Sequence, residues 1–191
     1  MSKMQSPKFE GVPQRQRGAT LVIMLVVLVL IMMLGVAAVN TSITQYKLAG
    51  NLQFEDSAMN NAEAAIAGAE GWLSTGTNFN NIGFFGTTVA HLYPVGSAAA
   101  ILATPLTTAW TNSNSFCVGS SDSNCTDGNP NQRYVIQLLS INNSLIGSSQ
   151  TVGGRLSSSC NSVNIYQIIG RGSSGRGASK TIQVHYTVLT C

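Results

Sequence analysis

From Ala19 to Tyr46 the chain carries no charged residue, and from Ala19 to Val39 nearly every residue is apolar. As a helix rising about 1.5 Å per residue, Ala19 to Val39 spans roughly 32 Å, which matches a hydrocarbon core of about 30 Å. This segment can cross a membrane. Lys3, Lys8, Arg15 and Arg17 precede it against Glu10 alone, and the first charge beyond it is Lys47, followed by Glu55 and Asp56. That asymmetry predicts a cytoplasmic N-terminus and an exported C-terminal part.

The four cysteines, Cys117, Cys125, Cys160 and Cys191, then lie on the side where disulfides persist. Four cysteines allow three pairings. The favoured one joins Cys117 to Cys125 across a short loop and Cys160 to Cys191 at the last residue. Metal ligation is disfavoured because no Cys-x-x-Cys or Cys/His pair has zinc-site spacing, and no cofactor is expected.

The net charge of +3 is no invitation to nucleic acid, because it resides in the leader. Without residues 1–18 the signs balance. Glu55, Asp56, Glu63, Glu70, Asp122 and Asp127 come early, while Arg133, Arg155, Arg171, Arg176 and Lys180 come late. This separation suits head-to-tail or side-by-side packing of protein subunits, and equally a solvated surface.

The helical signal continues past the apolar run. Ile43, Tyr46, Gly50, Phe54, Ala58, Ala62, Ala65, Ala69 and Leu73 recur every three or four residues, with Asp56, Asn60, Glu63 and Glu70 on the other side. One helix to about Ser74 is predicted, and its small-residue face should let a sheet approach closely. Gly76 and the stretch GTNFNNIGFFG end it. Thr77 to Gln132, rich in Thr, Ser, Asn, Ala and Gly, reads as a long connecting region containing one short helix or strand. Beyond it RYVIQLLSI, NIYQIIGRG and KTIQVHYTVLTC have the β-branched and aromatic enrichment of strands, and Ile182, Val184, Tyr186 and Val188 alternate. The fold class is therefore α+β, a long N-terminal helix packed on a C-terminal antiparallel sheet.

Two motifs invite chemistry and are better read otherwise. GRGSSGRGASK, Gly170 to Lys180, has the G-x-G-x-x-G spacing of a dinucleotide loop, but a strand follows where a helix should receive the phosphate. It reads as a hairpin loop whose Arg171, Arg176 and Lys180 can meet an acidic neighbour. DSNCTDGN, Asp122 to Asn129, gathers oxygen donors, yet its glycine is one position late for a calcium loop and Arg133 stands where a bidentate glutamate belongs. His91 and His185 are isolated, and Glu63 and Glu70 lie two turns apart, too far to share a proton. The chain is not expected to be an enzyme.

Gly18 follows Arg15 and Arg17 directly and stands on the cytoplasmic side of the apolar run. A secretory signal would place its small residues at the exported end. Cutting at Gly18 instead removes the hydrophilic leader and leaves the apolar helix attached. This arrangement resembles a type IV prepilin, which implies cleavage by the prepilin peptidase between Gly18 and Ala19 and methylation of the new amine. YKLAGN, Tyr46 to Asn51, followed by SAMNNAEAAIAGAE with its Ala62-Glu63 and Ala69-Glu70 elements, resembles the PilX family of minor pilins. YQIIGRGSSGRGASKTIQVHYTV resembles that family's closing hairpin. Gln45 and Tyr46 depart from it, standing where members often carry acids.

The resemblance implies a type IV pilin-like fold divided into a removed leader (1–18), a membrane and filament-core half-helix (19–42), an amphipathic half-helix (43–75) and a globular head (76–191). It also gives meaning to Ile23, the fifth residue of the processed chain. Most pilins carry a glutamate there, held to neutralise a neighbouring subunit's N-terminal ammonium; at about 4 Å and an effective dielectric of 20 that attraction is roughly 4 kcal/mol before desolvation. A subunit lacking it suits the filament tip, with nothing above. Retained lipid solubility is the plainer reading of Ile23. The helix also lacks the proline usual in major pilins, so Gly35 and Asn40 to Ser42 are its weak points.

The expected protein is thus a minor pilin of a tip and assembly-priming complex, promoting pilus assembly and pilus-dependent adhesion or motility. It would reside in the bacterial inner membrane and then in the extracellular pilus. Its expected partners are other minor pilins, the major pilin, a large tip adhesin and the prepilin peptidase, with no nucleic acid required. A minor pseudopilin of a type II secretion system and a single-pass anchored extracytoplasmic binding domain are the alternatives.

Overall fold

The computed structural model describes residues 17–76, 78–86, 89, 91–121, 124–144 and 162–190. Residues 1–16, Asp122, Arg155, Cys160 and Cys191 lie outside the described residues, so the leader and the Cys160 to Cys191 pairing do too. The chain divides into two compact units, Met1–Gly50 and Asn51–Cys191.

Helix α1 runs from Arg17 to Ser74. It ends where the sequence predicts, because Gly76 adopts φ +59°, a left-handed conformation that stops a helix cheaply only at glycine. Thr75 Oγ1 donates to Gly71 O at 2.7 Å and Asn78 Nδ2 donates to Trp72 O at 2.8 Å, satisfying carbonyls of the last turns.

In the second unit, α1 packs on a five-stranded sheet. The strands are β1 (Leu92–Tyr93), β2 (Phe116–Val118), β3 (Asn129–Ser144), β4 (Ser162–Ser173) and β5 (Ser179–Thr190), with a short helix α2 at Ala100–Ala103. The order is β1-β3-β4-β5, and β2 also pairs with β3. Strands β3, β4 and β5 form the expected antiparallel meander, with register Tyr134↔Gly170, Ile168↔Val184 and Tyr166↔Tyr186.

The core lies between α1 and one face of this meander. Ala65, Ile66, Ala69 and Leu73 meet Tyr134, Ile136, Leu138, Tyr166 and Ile168, with Ile182, Val184, Tyr186 and Val188 packed against the same cluster. The predicted alternation of β5 therefore holds, and Gln183, His185, Thr187 and Leu189 are exposed on its other face. Asn61 ties the layers at one end: its Nδ2 donates to Ser173 O at 2.7 Å and its Oδ1 accepts from Gln132 Nε2 at 2.9 Å. At the other end Tyr166 donates its hydroxyl to Phe79 O, and Ser74 Oγ and Tyr186 OH lie 3.2 Å apart.

A second layer covers the far face of β3 and β4. Ile101 of α2 packs on Val135 and Ile169, flanked by Tyr93, Ala99, Leu102 and Trp110.

One expectation needs correcting. The region Thr77 to Gln132 is more than a connector with one short element: it supplies a 3-10 turn at Ile82–Gly86, β1, α2 and β2, and β3 already begins at Asn129. Elements of two to five residues are too short to show a period, and pairing to β3 fixes β1 and β2. To the expected antiparallel meander of β3, β4 and β5 this region adds β1, which runs parallel to β3 with Leu92 opposite Ile136. Within the second unit the predicted small-residue face of α1 packs on the sheet from Ala58 onward.

Candidate functional site

Two surfaces carry the residues singled out from the sequence. The first is the N-terminal half of α1. Every residue from Gly18 to Ala49 is exposed, although the segment from Leu21 to Leu34 consists only of large aliphatic side chains. Gly18 lies in the first turn of α1, with open space where a Cβ would stand. Ile23 is exposed and contributes to an apolar groove with Met24, Val27, Leu28, Ile31 and Met32. Such a surface in water would expose far more than the few hundred Å² of contiguous apolar area usual for a soluble monomer. By length and composition it can anchor the chain in a membrane.

Gly35 to Ser42 is helical within α1. Thr41 and Thr44 turn their hydroxyls back onto the carbonyls of Ala37 and Asn40, each at 3.0 Å. Such bonds satisfy the hydroxyl locally but compete with the backbone ladder, a property of helices that bend or loosen.

The second surface is the packed half of α1 with the sheet beneath it. Gly170 and Gly172, the G-x-G that opens the hairpin motif, occupy β4 positions facing α1. A Cβ at Gly170 would come within 2.9 Å of Ile66 Cδ1 and 3.0 Å of Ala62 O, and one at Gly172 would collide with Ala58 O and the backbone nitrogen of Ala62. Their chemistry is close approach. Glycine within a strand is the sequence signal that fits this role.

The hairpin's basic residues each make a contact within the chain. Lys180 Nζ pairs with Glu55 Oε2 at 3.1 Å, the Arg176 guanidinium lies 5.3 Å from the Phe54 ring centre, and that of Arg171 lies 6.0 Å from the Trp110 ring centre. The turn between β4 and β5 uses positive φ at Arg176 and Gly177 and closes with Ser174 N donating to Ala178 O at 2.9 Å. Glu63 and Glu70 border a shallow groove with Met59, Ile66, Ile182 and Val184.

Cys117 of β2 is bonded to Cys125, and Cys117 is buried. The loop so closed contains Gly128's near neighbour Ser120, and a Cβ at Gly128 would meet the Cβ atoms of Ser120 and Cys117 at 2.7 and 2.8 Å. Asp127 of the segment weighed for calcium accepts from Ser121 Oγ at 2.8 Å.

His91 is a packed ring. It is buried against Phe116 (ring centres 4.4 Å apart), Tyr134 (5.8 Å) and Trp72 (6.0 Å), and neither ring nitrogen has a hydrogen-bond partner among the described residues. Burial lowers its pKa to about 4, so the ring is neutral at pH 7. His185 is exposed on β5.

One arrangement was not legible in the sequence. Arg133 and Arg171, distant in the chain, are cross-strand partners on the face away from α1 and border a cavity with Trp110. No local pattern announces a register between two strands.

Residues 17–67 match the PilX N-terminal family. The match includes the Ala49-Gly50-Asn51 step and Ala62-Glu63, stops before Ala69-Glu70, and leaves the sheet outside it. No curated protein and no solved structure matches the chain. The chain thus has a PilX-type N-terminal region, which relates it to type IV pilins and their fellow pilus components.

Proposed function

We propose, from the PilX-type region at residues 17–67, that this chain is a minor pilin, a structural subunit of the tip and assembly-priming complex of a type IV pilus. The observation that carries the reading is the uncharged, wholly exposed helix surface from Ala19 to Tyr46, entered directly from Arg15, Arg17 and Gly18. Such a surface needs cover on all sides. Lipid provides it first, and the helices of other pilins provide it after extraction.

The function is packing rather than catalysis. Prepilin peptidase cuts after Gly18 and the amine of Ala19 is methylated, so the apolar helix becomes the new N-terminus in the inner membrane. The head, with its sheet held to α1, is exported and presents surfaces to other minor pilins, the major pilin and a tip adhesin. Ile23, without a carboxylate for a neighbouring ammonium, suits the subunit at the tip, and assembly primed there supports adhesion or motility.

The test is the intact mass and N-terminal sequence of the chain recovered from its native membrane and sheared-pilus fractions. A chain beginning at methylated Ala19 is expected. A chain that keeps Met1 to Gly18 in a host with working prepilin peptidase would overturn the reading.

A further inference from the structure

The face of the sheet away from α1 carries charge that no ion pair among the described residues balances. Arg133 of β3 stands opposite Arg171 of β4, and like charges directly opposite destabilise an antiparallel pair. Burial first, and then the Arg171 charge, push the Arg133 guanidinium below its usual pKa. Among the described residues their partners are neutral. Arg133 Nη1 donates to Ser115 Oγ at 3.2 Å and its Nη2 to Asn112 Oδ1 at 2.7 Å, while Arg171 lies over Trp110. Lys180 with Glu55 is the single ion pair among the described residues.

The two arginines, Trp110, Pro130 and Ser173 line a cavity of about 190 Å³. Pockets for drug-sized molecules run from about 300 to 1,000 Å³, so this one is sized for a single side chain. Guanidinium groups present forked donors that match a carboxylate. The complement exists on this same chain: Asp56 and Glu63 are exposed on α1, Glu70 is half-buried there, and none of them is in an ion pair among the described residues.

We propose that the Arg133–Arg171 cavity receives the carboxylate of an acidic side chain presented by a neighbouring protein subunit. The neighbour's being a pilin rests on the function proposed above; the binding chemistry does not. The carboxylate lies between two guanidiniums whose mutual repulsion it cancels, beside an indole that keeps one of them in place. The site is an electrostatic socket on the face of the head opposite α1, and it sets the orientation of the neighbouring subunit.

The experiment uses the full chain in nonionic detergent, labelled with 5-fluorotryptophan, with the Trp110 resonance assigned through Trp72→Phe. The probes are a capped peptide of residues 55–70, the same peptide with every Asp and Glu replaced by its amide, and inorganic phosphate, all at fixed ionic strength. A saturable shift of Trp110 with the acidic peptide and none with the amide form is expected. Arg133→Gln and Arg171→Gln should each weaken binding about tenfold or more, Arg133→Lys should weaken it less, and Arg176→Gln, outside the cavity, should leave it unchanged. An unmoved Trp72 resonance shows that a variant has kept its fold. Equal response to the amide peptide, or equal weakening by Arg176→Gln, would overturn the site. Phosphate binding without peptide binding would overturn the protein source. Failure here leaves the N-terminus of the recovered chain unaffected, so the two readings fall separately.

Discussion

Gly172 of β4 lies against the backbone of α1 at Ala58, so close that a Cβ at 172 would collide with the Ala58 carbonyl oxygen. Gly170 repeats the approach one step along the strand, against Ala62 and Ile66. Small side chains on the helix and none on the strand let two backbones meet, and Asn61 uses that proximity to bond both Ser173 and Gln132.

Gly172→Ala is therefore expected to destabilise the protein by about 3 kcal/mol, the upper end of the usual range for an overpacked core, because the obstacle is backbone that no rotamer change can move. Gly177→Ala, where a Cβ meets nothing but φ is +76°, should cost about 1 kcal/mol through backbone strain alone. Urea midpoints of the two variants in detergent give the comparison; equal losses would mean that the helix is not seated on Gly172.

The buried His91 ring gives the head a defined response to acid. An unfolded histidine titrates near 6.5, whereas the folded ring titrates near 4. As pH falls through that window the unfolded chain takes up a proton that the folded chain refuses. The contribution is complete above about pH 6.5, declines down to about pH 4, and is then lost, amounting to roughly 3 kcal/mol. His91→Phe keeps an aromatic ring among Phe116, Tyr134 and Trp72 and cannot be protonated. The stability difference between it and the parent should widen in favour of the variant between pH 7 and pH 4.5. A constant difference would show that His91 is not held neutral.

Opening the Cys117–Cys125 loop, by Cys117→Ala with Cys125→Ser, is expected to cost about 2.5 kcal/mol from loop entropy at a separation of 8 residues. The loss should be local. Exchange protection of β2 and of the adjoining edge of β3 should fall, whereas that of β4 and β5 stays; uniform loss across the sheet would place the disulfide in the global core instead.

Ile23→Glu would place a carboxylate in the uncharged half of α1. For the tip minor pilin proposed above, this opens shaft positions to the subunit, so its copy number per unit mass of sheared pili should rise severalfold over the parent. An unchanged copy number at equal membrane abundance counts against a tip position set by residue 23.

On the proposed function, the segment from Gly35 to Ser42, helical in α1, is expected to loosen once packed in a filament, since Gly35 carries a helix penalty of about 1 kcal/mol and Thr41 competes for the carbonyl of Ala37. A filament reconstruction in which this subunit's helix runs unbroken through 35–42 contradicts that expectation.

Much of this was legible in one dimension. The uncharged run after Arg17, the spacing of Ala58, Ala62, Ala65, Ala69 and Leu73, the stop at Gly76 and the alternation from Ile182 to Val188 are local patterns of period and charge, and each determines its element wherever the chain is placed. The tertiary structure alone decided that Leu92 pairs parallel to Ile136, that Gly170 and Gly172 are points of contact with α1, and that Arg133 faces Arg171. The reason is physical. Those relationships depend on strand register and on the distance between layers, which arise when distant segments are brought together and leave no period in the sequence for a reader to find.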